Sequence, residues 1–440
     1  MSRTDNVLNL PAYAVRNKHE DADEIHFHIE AEEPDSCHVC GVLDQLVRYG
    51  SKDQRYRDLP IHGKPVSLWV VRRRYQCREC GSTFRPELHM MKENRMMTER
   101  LYQFVSIRAL YRTHSDVARD TGLDEKTVRQ IFQEYTSTMD SIVTFETPRI
   151  LGIDELYLNK RYRCIITNLE EKTMVDMLPN RNKPHVISYL HSLKDKEKVQ
   201  IVSIDMWPPY RDAVKQVFPQ ATIVVDRFHA ARMANEAMEK ARKAVRGDLT
   251  PKQRRTLKGD RKLLLKHERD LSDRERLFVE SWVNAFPELH ECWKLKTAFY
   301  DIWESQCKAE AMANFDRWAE SISGEQMKYW SDVIRSFRNW RDEIFNYFDL
   351  DVPVTNAFTE SLNRLAKDKQ RDSRGYSFEV MRAKMLYTKG HKKVEKKARK
   401  ESPFGSDVFY KAMPQELGLV PLNYGVDLST IVEMFEEGEL

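Results

Sequence analysis

From Arg149 to Asp226 the chain lays down apolar runs in an order that few folds accommodate. Arg149-Ile-Leu-Gly-Ile-Asp154 reads as a buried strand that stops at a carboxylate. Tyr162–Thr167 and Thr173–Leu178 have the length and β-branched content of two more strands, spaced to follow as a hairpin meander. A helical segment near 184–193 comes next, then Val199–Asp205, a fourth strand that again ends on an acid. A second helix near 210–218 leads to Thr222-Ile-Val-Val-Asp226. Three antiparallel strands followed by strands alternating with helices predict a mixed α/β sheet. Strands ending at Asp154, Asp205 and Asp226 would set these carboxylates along a sheet edge, where a site can form.

The remaining residues must serve that edge, and charge suggests how. A net charge of +4 over 440 residues is mild, but Lys and Arg gather at Arg72–Arg74, along 240–266 and in 389–400. One basic cluster is ordinarily a solvated helix face; three around a candidate phosphodiester site favour a polyanionic partner. No uncharged apolar run approaches the roughly 18 residues of a membrane span, and the N-terminus has no apolar leader. The expectation is a cytoplasmic, nucleoid-associated protein with no membrane partner.

Two knuckles, Cys37-His-Val-Cys40-Gly41 and Cys77-Arg-Glu-Cys80-Gly81, supply two thiolates each from a tight turn. That is the pattern of a closed tetrahedral zinc site, although the 36-residue gap is longer than usual. Redox-active or unrelated thiols are the alternatives. His38 reads as a surface residue, and Cys164, Cys292 and Cys307 as buried, reduced thiols. Farther on, Ser115 to Phe132 reads as helix-turn-helix: Ser115 caps the first helix, Gly122 makes the left-handed turn and Asp124 caps the second. Val117, Ala118, Leu123, Val128 and Ile131 would pack inward, leaving Lys126, Arg129 and Gln130 outward toward DNA. An ordinary helical hairpin is the rival reading.

After Asp226 the chain stays helical to about 345, and six of its eight tryptophans fall there, as expected of a helical core. A final acid follows in Val354-Thr-Asn356-Ala-Phe-Thr-Glu360-Ser-Leu-Asn363-Arg364-Leu-Ala-Lys367. Asn356, Glu360, Asn363, Arg364 and Lys367 share one helix face, suited to a metal ion with phosphates beside it. Asp226 competes with Glu360 as third acid; with His229 one turn later, it can instead cap a helix or support the ligands from behind. Glu155 alternates away from Asp154 and is not a ligand choice.

Taken together, the Cys₄ ribbon, the helix-turn-helix, Ile153-Asp154-Glu155, Asp205-Met-Trp-Pro-Pro-Tyr210, Val225-Asp226-Arg-Phe-His229 and the Asn356–Asn363 helix resemble the bacterial insertion-sequence transposases of the ISL-three family, along nearly the full length. The resemblance implies a DDE triad, here Asp154, Asp205 and Glu360, on a ribonuclease-H-like core split by a helical insertion. The expected division is multidomain: a Cys₄ zinc ribbon at 1–90, helix-turn-helix at 91–145, catalytic core at 146–240, all-α insertion at 241–345, the core's second part at 346–400 and a tail at 401–440. The expected partners are double-stranded DNA, as terminal repeats and target, and a second copy of the chain bound to that DNA. Two Mg²⁺ ions, or Mn²⁺, would sit on the triad, because hard cations choose carboxylate oxygens. Structural Zn²⁺ would sit on the cysteines. Arg364 and Lys367 would join Lys126, Arg129 and Gln130 on DNA, with Asp226, His229, Asn356 and Asn363 behind the ligands. A transposase-derived DNA-binding regulator and a free-standing nuclease are the other readings; each leaves some module idle.

Overall fold

The computed structural model describes residues 8–373, 375–388 and 393–395. Its N-terminal part is a seven-stranded sheet built on a long hairpin, β3 (Leu46–Ile61) with β4 (Lys64–Cys77). β1 (Tyr13–Glu20) pairs with β2 (Ile25–Ala31), which runs parallel to β4. The short strands β5 (Thr83–Phe84), β6 (Met91–Lys92) and β7 (Met97–Thr98) complete it. The two knuckles close the hairpin's open end, because β3 follows the first and β4 runs into the second. Leu10, Phe27, Ile29, Tyr56, Leu68 and Val70 form the sheet's own core.

Three helices follow: α1 (Glu99–Tyr111), α2 (His114–Thr121) and α3 (Glu125–Ile142). The turn before α3 needs Gly122, whose φ of +67° is left-handed and whose missing side chain admits Pro65 of β4. α2 begins earlier than expected: Thr113, not Ser115, accepts the Asp116 amide and caps it, while Ser115 Oγ donates to Glu125. The helices are tied to the sheet through buried Asp58, which accepts from Thr98 and Arg100. Lys384 adds a second tie; its buried ammonium donates to the Ala109 and Arg112 carbonyls at the end of α1. β8 (Val143–Phe145) comes next.

The central sheet has the order expected from the apolar runs. β9 (Ile150–Leu158), β10 (Arg161–Asn168) and β11 (Thr173–Leu178) form the antiparallel half. α4 (Lys183–Ser192) leads to β12 (Ile201–Ile204), and α5 (Pro208–Val217) to β13 (Thr222–Val225), both parallel extensions of β9. Across the sheet the order is β11-β10-β9-β12-β13. One expectation fails: β9 does not stop at Asp154 but continues to Leu158, held by full pairing with β10.

α6 (Arg227–Ala244) begins directly after Asp226 and runs into the helical region. That region holds α7 (Pro251–Gly259), α8 (Arg261–Leu265), α9 (Asp273–Ala285), α10 (Pro287–Asp301), α11 (Lys308–Glu320), α12 (Met327–Asn339) and α13 (Arg341–Phe345). Its tryptophans are core, with Trp318, Trp330 and Trp340 at most 5% exposed. That core is continuous with Leu151, Ile153 and Val202 of the sheet, so these helices extend the sheet's hydrophobic interior. α14 (Ala357–Ser373) then returns across β9, and α15 (Phe378–Leu386) packs beside β11. The return depends on Gly152, where a Cβ would collide with Thr167 Oγ1, the atom that meets Thr359 Oγ1 of α14 at 2.8 Å. Cys307 departs from expectation: it is exposed, because it flanks the start of α11 at the surface, whereas Cys164 and Cys292 are buried. β8 pairs with β14 (Lys393–Glu395) in a ribbon of its own. The rest of the basic run 389–400 and the tail 401–440 lie outside the described residues.

Candidate active site

Five neighbouring elements bring four carboxylates to one edge of the central sheet. Asp154 sits within β9, 6% exposed, and its Oδ2 accepts a 2.7 Å hydrogen bond from Asn363 Nδ2 of α14. Asp205 follows β12 and lies 2.8 Å, oxygen to nitrogen, from His229 Nε2 on α6. Asp226 follows β13, and both its oxygens are engaged: Oδ1 accepts from the Phe228 amide at 3.1 Å and Oδ2 from the Asn356 amide at 3.3 Å. Glu360 lies in the first turn of α14, a quarter exposed, with Arg364 at 4.0 Å. Ligand atoms of Asp226, His229 and Glu360 all lie within 4.8 Å of one another.

The electrostatics follow from crowding. Burial, then Asp205 beside it, pushes the Asp154 carboxyl up to about 8. Burial also raises Asp226 and Glu360, and Asp226 lifts Glu360 further. Burial alone would lower His229, but Asp205, Asp226 and Asp154 outweigh it and hold the imidazole above its usual range. Three buried polar atoms beside this cluster have no hydrogen-bond partner among the described residues: Asn363 Oδ1 and both side-chain polar atoms of Asn356. Crowded acids and orphaned oxygens in one place fit a hard divalent cation.

The helix face read from the sequence divides in two. Asn356 and Asn363 are buried toward the acids, 1% and 9% exposed, whereas Arg364 and Lys367 face solvent. Glu155 pairs with Arg181.

At the far end of the hairpin the four cysteine sulfurs lie within 4.8 Å of one another. The Cys37–Cys80 and Cys40–Cys77 separations are both 3.7 Å. A tetrahedron with zinc–sulfur bonds of about 2.3 Å has edges of about 3.8 Å, so the thiols fit the ion. Gly41 and Gly81, both left-handed, return their amides to the Cys37 and Cys77 carbonyls, so the two knuckles repeat one geometry. His38 is exposed, stacks edge-on against Phe84 and is outside the cluster.

Residues 33–80 match the family described as zinc-finger of transposase IS204/IS1001/IS1096/IS1165. Residues 151–385, more than half of the chain, match the DDE family of the ISL-three group, described as Transposase. The chain belongs to the ISL-three transposase family. It is also similar to the transposase for insertion sequence element IS1001 of Bordetella parapertussis, 24% identical over 347 residues, covering 77% of this chain and 85% of that protein. The ribbon of this transposase, with its four adjacent cysteines, is a structural zinc site. No helix among the described residues is long and apolar enough to cross a membrane.

Elsewhere on the transposase, Lys126, Arg129 and Gln130 are exposed on α3, as the sequence suggested. Two are engaged: Arg129 pairs with Glu125 at 2.6 Å, and Gln130 accepts from Arg95 at 2.8 Å. Of the Arg72–Arg74 cluster only Arg74 is exposed and keeps its charge for a polyanion. Arg72 is buried on Glu93, Arg73 pairs with Glu30 and Glu33, and Arg74 donates to Thr83. In the second cluster Lys252, Arg255 and Lys258 are exposed on α7, with no ion pair recorded among the described residues. Sequence reasoning missed Arg181, which joins Glu155 to the aromatic rings near Asp205; a lone Arg in a loop carries no periodic signal.

Proposed function

We propose that the chain binds the ends of an insertion sequence, cleaves them and joins the freed 3′-hydroxyls to target DNA, on a ribonuclease-H-like core. The observation that carries this reading is the convergence of Asp154, Asp205 and Glu360 at one edge of a mixed sheet, in a chain of a DDE transposase family. Glu360 is preferred to Asp226 as the third acid because Asp226 accepts the backbone amides at the starts of α6 and α14, which gives it the structural task of joining the two helices.

Held by this triad, two Mg²⁺ ions, or Mn²⁺, would activate the attacking oxygen and stabilise the departing one. The protein's own groups prepare the edge. Asn363 fixes one oxygen of Asp154, and His229 holds Asp205 from the α6 side. Asp226 binds the first turn of α6 to the start of α14, which sets the reach of Glu360. Arg364 and Lys367, exposed on the same helix, are positioned to meet phosphates beside the acids, and Lys126, Arg129 and Gln130 to meet the terminal repeats. Two copies on DNA would pair the two ends.

The test compares wild type with Glu360→Gln on the element's own terminal DNA in Mg²⁺. Cleavage and strand joining are expected to fall by about a thousandfold or more with end binding retained. Equal rates would remove Glu360 from the triad, and binding without cleavage by either protein would favour a DNA-binding regulator.

A further inference from the structure

We propose that Trp207, backed by Arg181 and Tyr162, is a stacking platform for a nucleobase that leaves the duplex next to the phosphate being cut. This rests on the reading of the chain as a DNA-cleaving transposase, and it adds a substrate contact to the acids.

Trp207 lies two residues beyond Asp205, and its amide donates to the Asp205 carbonyl at 2.6 Å. Pro208 and Pro209 follow at once and open α5, so the backbone carrying the ring is stiff. Its ring is 37% exposed, unlike the core tryptophans of the helical region. The Arg181 guanidinium lies 4.5 Å from the Trp207 ring centre and 3.9 Å from that of Tyr162. Its charge is also met by Glu155, the neighbour of Asp154. Tyr157 meets Tyr162 edge to face at 4.9 Å, and both tyrosines are about half exposed, at 50% and 46%. An aromatic ridge with an embedded cation therefore begins at Tyr157, three residues from Asp154, and ends at Trp207, two residues from Asp205.

Cation–ring contact explains why Arg181 is held, but not why three large rings stay exposed on the segments adjoining Asp154 and Asp205. A nucleobase supplies what they lack, a flat π-face whose stacking tolerates any base. The geometry of the edge also favours unstacking. Asp154 is almost inaccessible, so a scissile phosphate must be drawn inward, and a duplex bends toward such a point most readily where one base leaves the stack. Phe278, 42% exposed on α9 of the helical region, serves as the comparison ring.

The experiment measures single-turnover cleavage by the full-length chain on terminal DNA that is intact or carries one abasic site, scanned through the nucleotides around the cut. Trp207→Ala is expected to cleave intact DNA about 10- to 100-fold more slowly than wild type, while Trp207→Phe and Phe278→Ala stay within about threefold. One abasic position should restore the Trp207→Ala rate, because no base then needs a platform. Rescue also shows that the variant is folded. Wild-type rates in Trp207→Ala, or slow cleavage that no abasic position restores, would overturn the platform and leave the transposase reading intact. A wild-type chain that cuts no terminal DNA would overturn both.

Discussion

Both oxygens of Asp226 accept backbone amides, whereas the recorded contact of Glu360 is Arg364 at 4.0 Å. The two acids should therefore respond differently to loss of charge. Asp226→Asn keeps an oxygen for one amide but turns an NH₂ toward the other, a local misfit that shifts the start of α14. Its cleavage rate is expected to fall by about 10- to 100-fold, well short of the loss in Glu360→Gln. Parallel rate measurements on terminal DNA check this; an Asp226→Asn variant as dead as Glu360→Gln would make Asp226 a ligand. The sequence grouped Asn356, Glu360 and Asn363 on one helix face from their spacing alone. It was silent on depth, because spacing fixes an angle around the helix and not what covers it. Burial of the two asparagines against Asp154 and Asp226 is a tertiary fact.

At the scale of elements, the central sheet was legible because its strands are buried and its helices short, so apolar runs and breaks alternate cleanly. The N-terminal strands were not. β1 buries only Tyr13 of Tyr-Ala-Val-Arg-Asn-Lys-His-Glu, and an edge strand that is solvated on both faces leaves no alternation to read. The turn between α2 and α3 was legible from Gly122 and the packing residues, yet the sequence could not show how α2 docks. His114 opens α2 buried between Phe132 and Tyr376, with ring centres at 4.9 and 5.1 Å, and its Nε2 has no partner among the described residues. Burial, with Lys384 and Arg129 adding and Glu125 opposing, lowers its pKa from 6.5 to about 4. The folded chain thus keeps this ring neutral where the unfolded chain already takes up a proton. Between those values the unfolded state binds more protons, so stability falls as pH drops from 6.5 toward 4. His114→Phe keeps a ring of similar shape without the titration. Unfolding measured at pH 7 and pH 5 should show the wild type losing about 2 kcal/mol more than the variant over that interval. Equal losses would mean that His114 is protonated in place.

Across the whole molecule, zinc is expected to govern one region and leave the others standing. The N-terminal sheet has its own core, and no residue of it belongs to the core that joins the central sheet to the helical region. The knuckles close the hairpin at the end away from its Gly63 turn, so losing the ion frees β3 and β4 from that end inward. Thiol labelling reads this directly, because the seven cysteines are distributed among the regions. With zinc bound, exposed Cys307 is expected to react first, while the four ribbon thiols are masked by the metal and Cys164 and Cys292 by burial. After chelation Cys37, Cys40, Cys77 and Cys80 should become reactive, with Cys164 and Cys292 still protected, and binding to terminal DNA should weaken in the same samples. Exposure of Cys164 together with the ribbon thiols would mean that the ties through Asp58 and Lys384 make the chain one cooperative unit. An unchanged labelling pattern would mean that the knuckles hold their shape without metal. Protection of Cys164 with loss of end binding would instead separate the two tasks, with the ribbon finding DNA and the acid edge, seated on a core that zinc does not support, cutting it.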